Sequence, residues 1–413
     1  MRCLFYVLCC MATLLPGSVW AQHIYVHPGK GNDAGNGSSP QQAVQSLQRA
    51  VSLAVPGTVI HLMPTETAWH DFLFFHDRSG TPGKPIIVEG NGVRLSGSVP
   101  VNPQEWEHLG NGLYRNDTLF RQLRANMDIV RRYFFLFDGK MERMGRCLKG
   151  HNEPFRDPAE LKPFEWTFVQ AEGAFYLKTD PARTLQELDI KIPVRPTGVQ
   201  FSGKVHDVIV RNIKCENFYN DGFGITGQVH RVRFEQIQAW YNGDDGISAH
   251  ADCAFHVEGF ISAGNGTGIC DTGNSFTTYN NVLIRDCAGV DVYFLNEKPE
   301  RPAYHALRNA LVYCAAFRPV ILEATHPAAG LGILMENVQF LAKEHGDRQV
   351  RIAGNVDLKT SRLGAGGLAF SRPEQAAAAD GAFDAGWLAT LEAPWGHLFR
   401  EAFEKMKDSI SIP

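Results

Sequence analysis

The sequence has 413 residues, of which 44% are hydrophobic and 20% are charged. A chain of this composition can bury a substantial core, which excludes an intrinsically disordered protein. Its 40 basic and 44 acidic residues give a formal net charge of −4, and this balance argues against general binding to nucleic acid or to an anionic membrane.

The first 21 residues have the features of a secretory signal peptide. Arg2 provides a positive charge, residues 3–15 form an apolar run, and small side chains stand just before residue 22. The apolar run is shorter than the ~20 residues that a membrane-spanning helix needs. We therefore expect cleavage after Ala21, a secreted or periplasmic mature protein, and no membrane anchor.

Residues 22–98 are expected to form a cap and the first coils of a repeat that dominates the second half of the chain. The pattern of apolar residues predicts a helix over residues 39–55, which Pro56 and Gly57 end. Strands are expected at residues 24–26, 58–62 and 85–89.

Two other segments do not follow the repeat. Residues 99–196 contain an aromatic run at 133–137 followed by an Asp-Gly-Lys turn, which indicates a β-rich insertion. Residues 355–413 are rich in alanine and glycine, and we expect a terminal helix over 396–410 that covers the last coil.

The repeat is a four-residue pattern between residues 197 and 354: apolar, charged, polar or small, apolar. It occupies residues 210–213, 234–237, 257–260, 284–287, 307–310 and 335–338, with steps of 24, 23, 27, 23 and 28 residues. Periods of roughly 20–50 residues are typical of solenoids, propellers and arrays. Each unit alternates like a half-buried strand and is followed by turns rich in Gly, Asn and Asp, which argues against helical repeats.

Short strands and turns within about 23 residues describe one coil of a right-handed parallel β-helix. The predicted fold class is therefore all-β, a single-stranded right-handed parallel β-helix with an N-terminal capping helix and a β-rich insertion. Its register aligns one charged residue per coil in an external ladder, which we interpret as structural. The ladder consists of Arg211, Glu235, Glu258, Arg285, Arg308 and Glu336. A second column, at the turn, holds Asn212, Gln236, Asp286, Asn309 and Asn337.

Six cysteines follow the expected cleavage site, and no two are spaced as Cys-x-x-Cys. This spacing excludes the common zinc and redox motifs. An even number in an exported chain is compatible with disulfides, and free thiols stacked in the core are the alternative. The six are Cys147, Cys215, Cys253, Cys270, Cys287 and Cys314.

Three aspartates in adjacent turns form a candidate site. The first turn reads Asn-Asp-Gly-Phe at 220–223, and the second reads Asn-Gly-Asp-Asp-Gly at 242–246. Asp221 and Asp245 have the same position in their coils, so stacking puts their carboxylates about 5 Å apart, with Asp244 beside them. Carboxylates this close need a cation or a shared proton, or they divide into acid and base for glycoside hydrolysis. Ordinary turn chemistry is the alternative.

The N-terminal segment resembles the cap of secreted, carbohydrate-active β-helix proteins. The resemblance rests on the Ile-Tyr-Val opening, the capping helix, Pro-Gly-Thr-Val at 56–59 and Ser-Gly-Thr-Pro-Gly-Lys-Pro-Ile at 79–86. It implies an architecture rather than a reaction.

The acidic turns resemble those of calcium-dependent β-helix pectate lyases. There, Asn-x-Asp-Gly-Phe in one coil and Asp-Asp-Gly in the next supply calcium ligands, which implies Ca²⁺ bound by Asp221, Asp244 and Asp245. This chain departs from the lyase pattern at Ser248, where a further Asp is expected, and in residues 264–270, which lack a Lys. Elimination beside a uronate carboxylate needs a strong base, so these departures weaken the lyase interpretation.

The same turns are similar to those of polygalacturonase-like hydrolases, which place one Asp in a coil and Asp-Asp in the next. Those hydrolases continue with Gly-His-Gly, where this chain has Gly-Thr-Gly at 266–268, and no Arg-Ile-Lys follows. The shared feature of both families is a carbohydrate site on the β-helix.

Further residues are candidates for the same face. His250 is a candidate base or sugar contact, Tyr241 a stacking platform for a sugar ring, and Tyr293 a substrate contact. Lys298 and Arg301, in a Pro-rich loop, are candidates to neutralise an acidic sugar, the former in catalysis and the latter in binding. Solvated turn residues are the alternative.

We therefore expect an exported polysaccharide lyase or glycoside hydrolase that acts on an acidic polysaccharide in a groove along the β-helix. Asp221, Asp244 and Asp245 are expected to carry the chemistry, with Ca²⁺ as the candidate metal and no organic cofactor. We expect a monomer, with neither nucleic acid nor membrane as partner. The competing interpretation is a non-catalytic glycan-binding or surface-attachment module, in which the aspartates are turn residues or hold a structural ion.

Overall fold

The computed structural model describes residues 21–144, 147–148, 151–314, 318–341, 350–360, 363–364 and 367–368. Residues 1–20 of the expected signal peptide and the expected helix at 396–410 lie outside the described residues, as does the side chain of Cys147. In the part of the chain that is described, no helix has the length and apolar character needed to cross a membrane.

The fold is the predicted right-handed parallel β-helix, with about 11 turns. Its 16 strands pair in parallel from coil to coil. The N-terminal strands are β1 (His23–Val26), β2 (Val59–Leu62), β3 (Leu73–His76) and β4 (Ile86–Ser96).

Twelve further strands of the β-helix follow the insertion. They are β15 (Val199–Ser202), β16 (Lys204–Glu216), β17 (Phe223–Trp240), β18 (Asp245–Ala263), β19 (Thr267–Thr272), β20 (Phe276–Arg285), β21 (Val290–Asn296), β22 (Ala303–Tyr313), β23 (Val320–Ala324), β24 (Leu331–Leu341), β25 (Arg351–Ala353) and β26 (Val356–Thr360). A short antiparallel pair, β27 (Leu363–Gly364) and β28 (Gly367–Leu368), comes after them.

The insertion contains the elements from β5 to β14. Its strands are β5 (Ser98–Pro100), β6 (Glu107–Gly110), β7 (Leu113–Asn116), β8 (Phe134–Phe137), β9 (Lys140–Arg143), β10 (Cys147–Leu148), β11 (His151–Asn152), β12 (Trp166–Val169), β13 (Ala174–Lys178) and β14 (Ile190–Pro193). Its helices are α2 (Leu119–Gln122) and α3 (Met127–Arg132), and α1 (Leu47–Leu53) lies in the cap. Short 3₁₀ helices occur at Pro40–Gln42, Pro103–Glu105, Pro158–Glu160 and Leu185–Glu187.

The capping helix is shorter than the sequence pattern predicts. After a 3₁₀ turn, Val44 lies in extended backbone and forms a parallel bridge with Val26. The α-helix begins only after Ser46, whose hydroxyl oxygen accepts a hydrogen bond from Arg49 N at 3.2 Å. The apolar residues before Ser46 are therefore buried by strand-like packing instead of by a helical face.

The core of the β-helix is a stack of aligned apolar side chains, because parallel strands in register place equivalent residues above one another. One fully buried column runs through six consecutive coils at Val199, Phe223, Ile247, Ile269, Val292 and Val320.

One copy of the predicted repeat is assigned to the wrong corner. The ladder runs from Arg211 through Glu235 and Glu258 to Asn280, not to Arg285, which pairs with Ala263 and Tyr313 instead. The copy of the four-residue repeat in that coil is the segment 279–282. The string at 284–287 has the same apolar-charged-polar-apolar order because it forms the next corner of the same coil.

Both corners use the left-handed backbone region, which Asn and Asp tolerate better than other non-glycine residues. In the first corner the positive-φ residues are Asn212, Gln236, Gly259, Asn281, Asn309 and Asn337. In the next corner they include Asn217, Tyr241, Gly264 and Asp286. The predicted turn column is therefore correct except that Asn281 takes the place given to Asp286.

The insertion has its own hydrophobic core. Two four-stranded antiparallel sheets, in the orders β12-β13-β7-β6 and β5-β14-β8-β9, enclose an aromatic cluster around Tyr133 and Trp166. Tyr219, which belongs to the β-helix, is part of the same cluster. The insertion therefore packs directly beside the turn that carries Asp221.

The five cysteines whose side chains are described are free thiols, and all are buried. They are Cys215, Cys253, Cys270, Cys287 and Cys314. The sequence left open whether the cysteines form disulfides or remain free thiols in the core, and these five are free thiols.

Candidate functional site

Asp221, Asp244 and Asp245 lie together at one corner of the β-helix. Asp221 stands shortly before β17, whereas Asp244 and Asp245 stand at the start of β18. One carboxylate oxygen can be chosen from each residue so that all three lie within 4.8 Å of one another. The three residues are buried, with 5%, 7% and 2% of their surface exposed. We call them the aspartate cluster.

Backbone contacts hold the two acidic turns against each other. Asp244 N donates to Asn220 O at 2.8 Å, and Gly222 N donates to Asp245 O at 2.9 Å. Glycine is required at position 243, because a Cβ there would lie 2.1 Å from the carbonyl oxygen of Tyr219. This glycine therefore allows a close approach between coils that brings the acids together.

The carboxylate of Asp221 accepts hydrogen bonds from three donors. Asn220 Nδ2 lies 2.9 Å and Ser248 Oγ 3.2 Å from Oδ2, and the backbone N–H of Asp245 lies 3.1 Å from Oδ1. Such a set of donors stabilises a negative charge in a buried position. Ser248 is thus a partner of the cluster, although it stands where the lyase pattern has a fourth acid.

Two arginines of the insertion approach the cluster from outside the β-helix. The guanidinium of Arg132, the last residue of α3, forms an ion pair with Oδ2 of Asp244. Arg143, the last residue of β9, donates to three carbonyl oxygens of the neighbouring turns, those of Asn242, Gly243 and Gly264. The insertion thus supplies two positive charges to a site built from three negative ones.

The cluster suits Ca²⁺ in spacing but not in its surroundings. Ca²⁺ binds oxygen ligands at about 2.3–2.6 Å, so ligand atoms on opposite sides of the ion are about 5 Å apart, and a separation within 4.8 Å agrees with this. However, Arg132 engages one oxygen of Asp244, and Arg143 engages the adjacent carbonyl groups. With both guanidinium groups in place, these residues do not fit a bound calcium ion.

Tyr241 and His250 flank Asp244 and Asp245 in the sequence, and both side chains are exposed. His250 is exposed on β18, on the same face as Ser248 and about 7 Å along the strand from it. Its Nδ1 lies 2.9 Å from Thr272 Oγ1. The Tyr241 side chain is 40% exposed at the corner just before the second acidic turn and lies over Gly264.

Tyr293 is half-buried in the outward-facing column that passes through Ser248 and Cys270. The two basic candidates of the loop after β21 have other partners. Arg301 Nη1 lies 3.3 Å from Asp252 Oδ1, and Lys298 Nζ lies 3.7 Å from Glu297 Oε1. The structure therefore places Tyr293 on the face of the site, whereas the described contacts of Lys298 and Arg301 are with acids outside the cluster.

A second polar network lies inside the β-helix. Asp271 accepts hydrogen bonds from Thr277 Oγ1 at 2.5 Å and from Tyr279 OH at 2.9 Å, and His305 Nδ1 lies 2.7 Å from the same threonine hydroxyl. The pKa of Asp271 is raised to about 7, chiefly by burial and in addition by the neighbouring Asp245, whereas the hydroxyl groups of Thr277 and Tyr279 oppose the shift. Burial lowers the pKa of His305 to about 3. The alternation of apolar and polar residues in the sequence did not predict this network.

Comparison with protein families and with curated proteins finds no match. Solved structures do match. A structure of XylC in complex with xylose has a TM-score of 0.50 and 11% identity, over 82% of this chain and 70% of that chain. A glycoside hydrolase has a TM-score of 0.40 and 10% identity, over 82% and 96% of the two chains. Pectate lyase Pel9A has a TM-score of 0.33 and 12% identity, over 82% and 77%. At such identities, the likeness to XylC supports the β-helix fold alone.

Proposed function

We propose that the protein is an exported enzyme that cleaves an acidic polysaccharide, with the aspartate cluster as its catalytic centre. The observation that carries this proposal is the convergence of Asp221, Asp244 and Asp245, from two adjacent coils, to within 4.8 Å. Carboxylates are costly to bury next to one another, and a turn alone requires no such group of three.

The fold is consistent with a carbohydrate ligand. The structurally similar protein XylC was solved with a bound sugar, xylose. In the present chain, an exposed aromatic ring, Tyr241, stands four residues before Asp245, and an exposed imidazole, His250, stands five residues after it. Aromatic rings stack on the apolar faces of sugars, and an imidazole exchanges protons near neutral pH.

Hydrolysis suits the cluster better than elimination. Retaining glycoside hydrolases use two carboxyl groups about 5–5.5 Å apart, whereas inverting enzymes need about 6.5–9.5 Å. One oxygen from each of the three carboxylates can be chosen so that all lie within 4.8 Å, which is below the inverting range and nearer to the retaining one. We assign Asp221, whose carboxylate accepts three hydrogen bonds, as the nucleophile, and Asp245, in its protonated form, as the acid that protonates the leaving oxygen.

Elimination has less support, since the coil at 264–270 has no lysine to act as base and both nearby arginines already donate to the acidic turns. The acidic character of the substrate rests on Lys298 and Arg301, which lie on an exposed loop next to β21. To offset the charge of uronate groups, these side chains would have to exchange their contacts with Glu297 and Asp252 for the substrate carboxylate.

A second candidate function is glycan binding without turnover. It is favoured by the low exposure of the aspartate cluster and by the ion pair between Arg132 and Asp244. In this case the acids and the guanidinium groups serve to attach the insertion to the β-helix, and a sugar is held by Tyr241 and its neighbours.

One experiment separates these functions. The full chain is incubated with a panel of uronate polymers, and products are followed by ultraviolet absorbance and by new reducing ends. Reducing ends without absorbance indicate hydrolysis, absorbance from an unsaturated product indicates elimination, and binding without either indicates a module. Asp245→Asn should abolish turnover, whereas Asp286→Asn, a change at an exposed acid two coils further along, should retain it. Equal activity of both variants would remove the cluster from the mechanism.

A further inference from the structure

We infer that Arg132 takes the place of a metal ion in the aspartate cluster, so that the insertion makes this site independent of divalent cations. The inference deepens the proposed function, because it names a positioning residue for the same site. It starts from the mismatch between the spacing of the carboxylates, which suits Ca²⁺, and the arginines that already contact the site.

Three buried carboxylates within 4.8 Å require positive charge or protons nearby. Arg132 Nη1 meets Asp244 Oδ2, and the side chains are only 23% and 9% exposed, respectively. An ion pair with this burial is weakly screened by solvent, unlike the exposed pair that the preceding residue, Arg131, makes with Asp128 at 3.7 Å.

The carbonyl oxygen atoms that a cation could use already accept hydrogen bonds. Calcium sites commonly combine carboxylates with backbone carbonyl groups. Here the carbonyl oxygens of Gly243 and Gly264 accept hydrogen bonds from Arg143 at 2.6 and 3.2 Å. A cation at the cluster would meet two guanidinium groups, and this repulsion lowers its affinity.

Both arginines come from the insertion. Arg132 ends α3 and Arg143 ends β9, and both elements belong to the insertion, whose aromatic core includes Tyr219 of the β-helix. The guanidinium groups are therefore held by a packed core rather than by flexible loops. The insertion fixes the positive charge at one position, as a protein-bound ion would.

The test measures calcium binding to the full chain by isothermal titration calorimetry, with CaCl₂ as the only titrant. Wild type should show no binding that depends on the cluster. Arg132→Gln should bind Ca²⁺ at the cluster, at least about tenfold more tightly than any binding by wild type, because one of the two repelling guanidinium charges is gone. This gain should be lost in Arg132→Gln combined with Asp245→Asn. The matched control, Arg131→Gln, should behave as wild type.

Two results would overturn the inference. One is calcium binding by wild type that Asp245→Asn removes, and the other is a folded Arg132→Gln variant without any gain in affinity. Should Arg132→Gln fail to fold, Arg132→Lys decides the question, since it keeps the charge and is expected to exclude Ca²⁺. Calcium binding by the folded lysine variant would contradict the inference. None of these measurements depends on turnover, so the inference and the proposed function fail separately.

Discussion

Ser248 and Asp221 are joined by a hydrogen bond across two neighbouring coils, with Ser248 Oγ 3.2 Å from Asp221 Oδ2. A fourth acid at position 248, as in the lyase pattern, would place another negative charge against Asp221. The hydroxyl group supplies a donor instead, so the site keeps three carboxylates that two arginines of the insertion can offset. The serine at position 248 and the two arginines therefore both make the site less negative than the lyase pattern would.

Replacing Gly243 by alanine should destabilise the protein. A Cβ at this position would lie 2.1 Å from Tyr219 O and 3.0 Å from Arg132 O, so the acidic turn must shift, at a cost of about 1–3 kcal/mol. The measurement is the free energy of unfolding in urea. Gly330→Ala is the matched control, because its nearest neighbour would be 3.6 Å away and its effect should stay within about 0.5 kcal/mol. Equal stability of both variants would contradict the described packing.

Arg143→Gln should loosen the insertion from the β-helix. The variant loses hydrogen bonds to three carbonyl groups, and hydrogen bonds that involve a charged group contribute about 1.5–3 kcal/mol each, net of exchange with water. The glutamine amide can replace part of them. We expect a loss of about 3 kcal/mol in unfolding free energy and faster proteolysis within residues 99–196. Arg131→Gln, which removes only an exposed pair, should change stability by less than about 0.5 kcal/mol. If both arginine variants were equally resistant to protease, Arg143 would have no docking role.

Asp271 should make the protein less stable as the pH rises toward neutral. Burial raises the pKa of its carboxyl group to about 7 in the folded state, whereas an unfolded aspartate titrates near pH 3.9. The folded state therefore binds the proton more tightly, and this contribution is complete below about pH 4 and lost as the pH rises through about 7. It amounts to at most about 4 kcal/mol, at about 1.4 kcal/mol per pKa unit.

The measurement compares wild type with Asp271→Asn by urea unfolding across this pH range. The stability of wild type relative to the variant should be greatest at the acidic end and should fall toward pH 7. His305 has a pKa lowered to about 3 by burial, which gives a slope of opposite sign, but this slope is common to both proteins and largely cancels in the difference. A difference that stays constant with pH would show that Asp271 does not titrate in this range.

The coils could be predicted from the sequence because their information is local and periodic. The stacking of Asp221 on Asp245 follows from their equal positions in consecutive coils. The same logic failed at Arg285, because two corners of one coil have the same requirement for an apolar residue on each side of a left-handed Asn or Asp. Only the pairing of Tyr279 with Val257 in the folded chain distinguishes them.

Arg132 could not be predicted in the same way. It lies 112 positions before Asp244, in a segment without the repeat, and no spacing rule connects the two. The contact between Arg132 and Asp244 depends on how the aromatic core around Tyr133 packs against Tyr219. Likewise, the network of Asp271 and His305 is invisible in the sequence, since polar residues at inward positions look like irregularities of the alternation.

The buried thiols have a consequence for studying how the molecule opens. Cys215, Cys253, Cys287 and Cys314 lie at different levels of the β-helix, and burial raises the pKa of the first three. An alkylating reagent can reach each sulfur atom only when its own rung separates from its neighbours, and a stack of this kind can open rung by rung. The chain thus contains a natural series of reporters along its axis, without any engineered label.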